Sequence, residues 1–170
     1  MNEFQAGDLI FVRGHGPISR LIEYFDGKFS HVAIALSSHV ILESQMFVNV
    51  RVAQMDFDDY EVINLGLTDR QRDIIVHKGI DMVGKHYDYA QVIWQGVMDI
   101  FHLRGRNLLN SPNKLICSEI LINLLLAIHW FRDPKDIKNI KDKTPNELYR
   151  LIKKQLKERK KDVHSHPDIV

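Results

Sequence analysis

Cysteine is almost absent from this chain: Cys117 is the single one among 170 residues, so no disulfide can form within it. Scarce cysteine favours a reducing compartment, where disulfides do not persist. The N-terminus also lacks the basic segment and apolar core of a secretory signal peptide. We therefore expect a cytoplasmic protein.

The sequence also lacks a long apolar run and an excess of charge of one sign. The longest apolar stretch, residues 115–131, is interrupted by polar residues such as Glu119 and His129, whereas a membrane span needs about 20 predominantly apolar residues. The chain has 23 Lys and Arg against 22 Asp and Glu, a formal net charge of +1. We expect no stable membrane insertion and no general attraction to nucleic acid.

Motifs for metals and nucleotide cofactors are missing as well. One cysteine and nine scattered histidines give no zinc-ligand spacing. No glycine-rich phosphate loop or dinucleotide fingerprint occurs. The sequence therefore predicts neither a metal nor a cofactor.

What is present predicts one globular domain with strands first and helices later. The chain is 45% hydrophobic and 26% charged, as globular domains are. Short apolar segments predict strands at 8–12, 31–36, 40–44, 47–53 and 61–65. This order predicts an α+β fold in which an antiparallel sheet packs against helices.

Helix-starting residues mark the second half. Thr68 and Gln71 have the spacing of a capping box, which predicts a helix to about residue 83. Thr144, Pro145 and Glu147 predict the start of the last helix in the same way. Between them we predict helices at 88–101 and 115–131 with a loop at 104–113, and one or two helical turns at 18–25.

The chain end is basic. Residues 153–162 contain six Lys or Arg and two acidic residues. We assign residues 1–152 to the catalytic domain and 153–170 to the basic end of the last helix and a solvated tail. Such a segment can serve as a contact for an anionic partner.

A predicted hairpin brings His31 close to Glu43. A loop at 37–39 pairs Ala35 with Ile41, and alternation then puts His31 and Glu43 on one face with Ala33 and Ala35. Diagonal neighbours on a face lie about 7–8 Å apart, within reach of an imidazole–carboxylate hydrogen bond. The two alanines on that face leave room for a helix. The other face is wholly apolar: Val32, Ile34, Leu36, Val40 and Leu42.

Cys117 follows a helix-starting segment at 111–113, so we expect it in an early helical turn, where the helix dipole favours a thiolate. With His31 as base and Glu43 as the group that orients it, these residues form a candidate catalytic triad. The residues alone leave a second interpretation open. Cys117 can be a small buried hydrophobic residue, His31 structural, and Glu43 turned to solvent.

Four motifs resemble a known superfamily: GDLIFV at 7–12, SHVAIA at 30–35, VILES at 40–44 and LICSE at 115–119. They are similar to the permuted branch of the NlpC-type papain-like cysteine peptidases, in particular the YiiX-like proteins, and more distantly to lecithin:retinol acyltransferase-type enzymes. The resemblance covers about residues 6–130. Papain-like enzymes usually present Cys before His, and here His31 comes first, as circular permutation requires.

The resemblance implies a circularly permuted papain-like fold in which Cys117 is the nucleophile, His31 the base and Glu43 the third polar residue. The segment Gly84-Lys-His-Tyr-Asp88 is similar to one that these proteins carry near the site, which implies an oxyanion or substrate contact for Tyr87. The alternative for Tyr87 is a tyrosine packed between helices.

The function implied is a cysteine hydrolase that cleaves an amide bond, for example in a cell-wall peptide, or an ester bond through a thioester. Two alternatives stay open: a lipid acyl hydrolase or acyltransferase, and a non-catalytic module that binds a peptide or lipid on the same fold. The oligomeric state is left open.

Overall fold

A computed structural model describes residues 4–14, 27–44, 50–83, 112–131 and 143–165, with the backbone alone at 112–119 and 162–165. The helices predicted at 18–25 and 88–101, and the loop predicted at 104–111, lie outside these ranges.

A five-stranded antiparallel sheet forms the centre of the described chain. Its strands are β1 (Leu9–Val12), β2 (His31–Ala35), β3 (Val40–Glu43), β4 (Arg51–Gln54) and β5 (Tyr60–Ile63). They follow the spatial order β4-β3-β2-β1-β5, and every neighbouring pair is antiparallel. Together with the helices, this sheet confirms the predicted α+β class.

Three helices follow within the described residues: α1 (Asp69–Met82), α2 (Pro112–Ala127) and α3 (Pro145–Ser165). Both predicted capping boxes are present. Thr68 Oγ1 accepts from the Gln71 backbone N–H at 3.3 Å, and Thr144 Oγ1 accepts from that of Glu147 at 3.2 Å. Helix α2 begins at Pro112, so the prediction that the preceding loop extends to residue 113 is wrong.

The helices cover one face of the sheet. The apolar face predicted for the β2–β3 hairpin lies in this core, where Val32, Ile34 and Leu42 are at most 1% exposed. Helix α1 approaches closely at Gly79, where a Cβ would lie 3.1 Å from a Leu42 methyl group. The helical residues buried in the same core are Ile75, Ile120, Leu121, Ile122, Leu124, Leu125, Leu148 and Ile152.

A second, smaller apolar cluster covers the opposite face. Ala33, Ala35 and Ile41 are buried there, as the predicted alternation requires. Within the described chain, the side chains that pack on this cluster come from β4, β5 and the segment between them: Ala53, Met55, Phe57, Tyr60 and Val62. Ala33 and Ala35 thus lie in a cluster covered by that segment, whereas the described helices, α2 included, pack on the other face of the sheet.

Helix α3 continues without interruption through the predicted boundary between residues 152 and 153. Gln155 is 5% exposed, and the Arg159 guanidinium lies 4.5 Å from the centre of the Trp130 ring while donating to the Trp130 carbonyl. Most residues of 153–161 are exposed, as predicted for this basic end of the helix, but one face of it packs on the core through Gln155 and Arg159. In the described ranges, no helix has the length and apolar character needed to cross a bilayer.

Candidate active site

The β2–β3 hairpin has the predicted register. Ala35 lies opposite Ile41 and Ile34 opposite Leu42, and the Leu36 N–H donates to the Val40 carbonyl at 2.8 Å. His31 and Glu43 therefore share the face of the small cluster, because strand side chains alternate. The register on which the predicted pairing of His31 with Glu43 depended is therefore confirmed.

His31 and Glu43 are in direct contact. His31 Nε2 lies 3.1 Å from Glu43 Oε2. The Glu43 side chain is 1% exposed and that of His31 is 14% exposed. A carboxylate so completely removed from water needs partners for both oxygens, because an unpaired buried charge is costly. The interpretation in which Glu43 faces solvent is thereby excluded.

Arg51 provides the partner for the second oxygen. Its Nε and Nη2 donate to Glu43 Oε1 at 2.9 and 2.6 Å. The residue begins the edge strand β4 directly opposite Glu43. Sequence reasoning missed this contact, although pairing the predicted strands at 40–44 and 47–53 would have offered a cation for Glu43.

The ring of His31 is held from another side by Phe57. The two ring centres lie 5.8 Å apart with the rings at 64°, close to an edge-on arrangement. Phe57 belongs to the segment between β4 and β5, which packs over the small cluster. An aromatic edge on one side and a carboxylate on the other restrict the rotation of the imidazole.

The contact through Nε2 determines which ring nitrogen can act as a base. Two guanidinium donors on Oε1 favour an ionised Glu43, and an ionised carboxylate has acceptors only. Nε2 must therefore carry the ring hydrogen, which leaves the lone pair of a neutral imidazole on Nδ1. Any proton that His31 takes from a nucleophile goes to Nδ1.

Cys117 lies in the second turn of α2, the early turn that was predicted. Farther along the same helix, Ile120 and Leu121 line a small cavity whose other lining residues include Val32, Leu42 and Glu43. Val32 and Leu42 belong to the core that the helices cover, so α2 packs on the face of the sheet opposite to the one that His31 and Glu43 share.

A second cluster of charged groups, centred on Glu61, lies at the other edge of the sheet. Burial opposes ionisation of Glu61, but hydrogen bonds from Tyr149, Lys28 and Lys153 outweigh it and lower its pKa to about 2. Burial and the bond to Glu61 raise the pKa of Tyr149 to about 12. This cluster joins α3 to β5 and contains no side chain of the candidate triad.

Asp8 is a further buried acid, 3% exposed. Burial raises its pKa, and this effect outweighs its contacts with Gln5, Arg72 and Asn64. These contacts tie the start of β1 to α1, so Asp8 serves the fold. Among the described residues, no three His, Cys, Asp or Glu side chains are grouped as metal ligands.

The structure thus brings together His31 and Glu43, adds Arg51 and Phe57, and locates Cys117 on α2. Tyr87 lies outside the described residues. No protein-family model matches the chain, and no protein of curated function matches it.

Proposed function

We propose that this protein is a cysteine hydrolase in which Cys117 is the nucleophile, His31 the base and Glu43 the group that orients the base. The observation that carries the proposal is the 3.1 Å contact between His31 Nε2 and a Glu43 carboxylate that is 1% exposed. A partly buried imidazole, oriented by a buried carboxylate on the face predicted from the hairpin, is the arrangement that thiol activation needs. The fold we propose is the circularly permuted papain-like one, which the order His31, Glu43, Cys117 fits.

The proposed reaction has two halves. The Cys117 thiol transfers its proton to His31 Nδ1, and the sulfur attacks the carbonyl carbon of an amide or ester. The tetrahedral intermediate collapses as the imidazolium protonates the leaving amine or alcohol, and a thioester remains. Water then attacks the thioester while Nδ1 takes its proton, and return of that proton to sulfur releases the acid and restores the thiol.

Glu43 contributes through the imidazole. By accepting from Nε2–H it keeps the lone pair on Nδ1, and it stabilises the imidazolium formed in both halves. Backbone N–H groups at the start of α2 and the hydroxyl of Tyr87 are the donors we propose for the oxyanion.

The proposed substrate is a peptide or a related amide, for example a cell-wall peptide, and the proposed location is the cytoplasm. A lipid acyl hydrolase or acyltransferase uses the same thioester chemistry and differs in the acyl donor and acceptor. A binding module on the same fold is the non-catalytic alternative; it would leave Cys117 an ordinary thiol.

The test uses the single cysteine. Alkylation by iodoacetamide, followed by intact-mass spectrometry from acid to alkaline pH, reports the thiolate of Cys117 alone. We expect rapid alkylation well below the ordinary thiol pKa of about 8.5. His31→Ala should slow it at neutral pH by on the order of tenfold or more. His77→Ala, which changes an exposed histidine of α1, is the matched control.

Turnover is tested with a set of peptide amides and lipid esters, in which an acyl adduct on Cys117 identifies the donor. An alkylation profile of an ordinary thiol, unaffected by His31→Ala, would rule out the hydrolase and favour the binding module. A reactive thiol with adducts from lipid esters alone would favour the lipid acyl enzyme.

A further inference from the structure

Arg51 holds Glu43 from the side opposite His31. Its Nε and Nη2 both donate to Oε1, at 2.9 and 2.6 Å, while Oε2 faces His31 Nε2 at 3.1 Å. Such a fork fixes both the position and the plane of a carboxylate, because two parallel donors leave little freedom of rotation. The plane of Glu43 in turn determines where Oε2 meets the imidazole.

We propose that Arg51 is a positioning residue of the Cys117 site, which it serves by locking the Glu43 carboxylate toward His31 and by partly neutralising its charge. The proposal rests on the proposed function, since it needs Cys117 and His31 to act together. Arg51 itself touches neither the substrate nor the thiol in this scheme; it acts through Glu43.

The charge of Arg51 has a consequence of definite sign. A cation beside the site lowers the proton affinity of every group near it, whether the proton sits on sulfur, imidazole or carboxylate. Removal of the cation therefore moves the titration of the site to higher pH. With Arg51, the site reaches its thiolate form at a lower pH than a pair of His31 and Glu43 alone would allow.

Several elements of the described chain contribute groups around the His31–Glu43 pair. On the sheet, Tyr60 of β5 lies two strands away from His31, beyond Val12 of β1. Phe57 contacts the ring, and the acids next to it in sequence, Asp56 and Asp58, are exposed to solvent. Helix α2 contributes Cys117. Arg51, whose side chain is 46% exposed, places a cation in direct contact with Glu43.

The experiment compares the pH profile of Cys117 alkylation in the full chain and in three variants. Arg51→Gln removes the charge and the fork, whereas Arg51→Lys keeps the charge. Arg70→Gln is the charge-matched control, because Arg70 is an exposed residue of α1. Thermal unfolding checks that each variant is folded, and both Gln and Lys at position 51 keep a hydrogen-bond donor for the buried Glu43 carboxylate.

We expect Arg51→Gln to move the midpoint of alkylation up by about 0.5–1 pH unit, a modest shift because solvent screens the charge of the 46% exposed Arg51 side chain. Arg51→Lys keeps the charge, so its midpoint should lie much closer to that of the wild-type protein than to that of Arg51→Gln. Arg70→Gln should leave the midpoint unchanged. On an identified substrate, Arg51→Gln should lower kcat more than it raises KM.

Two results would overturn the inference: a midpoint for Arg51→Gln equal to that of the wild-type protein, or one for Arg51→Lys equal to that of Arg51→Gln. Failure of the proposed function looks different, because Cys117 would then titrate as an ordinary thiol in the wild-type protein itself. The two failures are therefore distinguished in one set of measurements.

Discussion

Replacement of Glu43 by glutamine separates an orienting role from a structural one. The substitution keeps the size of the side chain and changes one oxygen into an NH2 group. Glu43 now accepts from Arg51 on Oε1 and from His31 on Oε2. A glutamine can accept at one of these positions and must donate at the other.

The glutamine has one satisfactory orientation. Arg51 has donors only, whereas a neutral His31 can become an acceptor at Nε2 by moving its hydrogen to Nδ1. The amide oxygen should therefore face Arg51, and the NH2 group should face Nε2. The contacts with Arg51 and His31 both survive, but the imidazole is held in the opposite tautomer and Nδ1 can no longer accept a proton.

The magnitudes expected for stability and for activity therefore differ. Exchange of charge-assisted bonds for neutral ones should cost about 1–2 kcal/mol in the free energy of unfolding. The wrong tautomer should cost on the order of 10²–10⁴-fold in turnover. It should also slow alkylation of Cys117 at neutral pH, because the neutralised site no longer favours an imidazolium.

Urea unfolding, alkylation of Cys117 and the nitrogen chemical shifts of the His31 ring measure the three effects. Glu61→Gln is a matched control, since it removes another hydrogen-bonded carboxylate of the same sheet, outside the candidate site. Alkylation and turnover in Glu43→Gln equal to those of the wild-type protein would refute the orienting role of Glu43.

The remaining predictions concern the fold. Glu61→Gln should lose about 1 kcal/mol at neutral pH, because solvent screens the half-exposed lysines around Glu61. Since folding lowers the pKa of Glu61 from 4.5 to about 2, this stabilisation is present above pH 4.5 and is lost as the pH falls toward 2. Urea unfolding at pH 7 and at pH 3 should therefore show a smaller difference between the two proteins in acid, and an unchanged difference would contradict the role of Glu61. Asn146→Ala should cost about 2–3 kcal/mol, since the 5% exposed amide accepts from Phe29 N at 3.0 Å and donates to its carbonyl at 2.7 Å. Chemical denaturation measures this loss, and a cost below about 0.5 kcal/mol would show that water replaces the amide.

The hairpin shows how far sequence reasoning reached into the candidate site. A short loop and strict alternation were enough to predict the pairing of Ala35 with Ile41, and with it the contact between His31 and Glu43. Both facts depend on residues close together in sequence, and a one-residue slip would have buried the wrong face. The catalytic role of these residues and of Cys117 stays a prediction.

The partners of that pair were beyond such reasoning. Phe57 reaches His31 from a segment that follows β4, and Arg51 reaches Glu43 across a strand pairing whose register no local pattern specified. The packed face of α3 was missed for the same reason. Six basic residues between 153 and 162 indicated exposure to solvent. Arg159 nevertheless lies over the ring of Trp130, a residue that comes shortly after the end of α2 at Ala127.

The sequence by itself determined the strands, the capped helix starts, the α+β class and the faces of the hairpin, because each is specified by neighbours within a few residues. Only the tertiary structure decided which face of the sheet the described helices cover and that Arg51 occupies the second oxygen of Glu43. Those features arise from contacts between distant segments, where the burial of apolar area decides the packing and leaves no periodic signal in the chain.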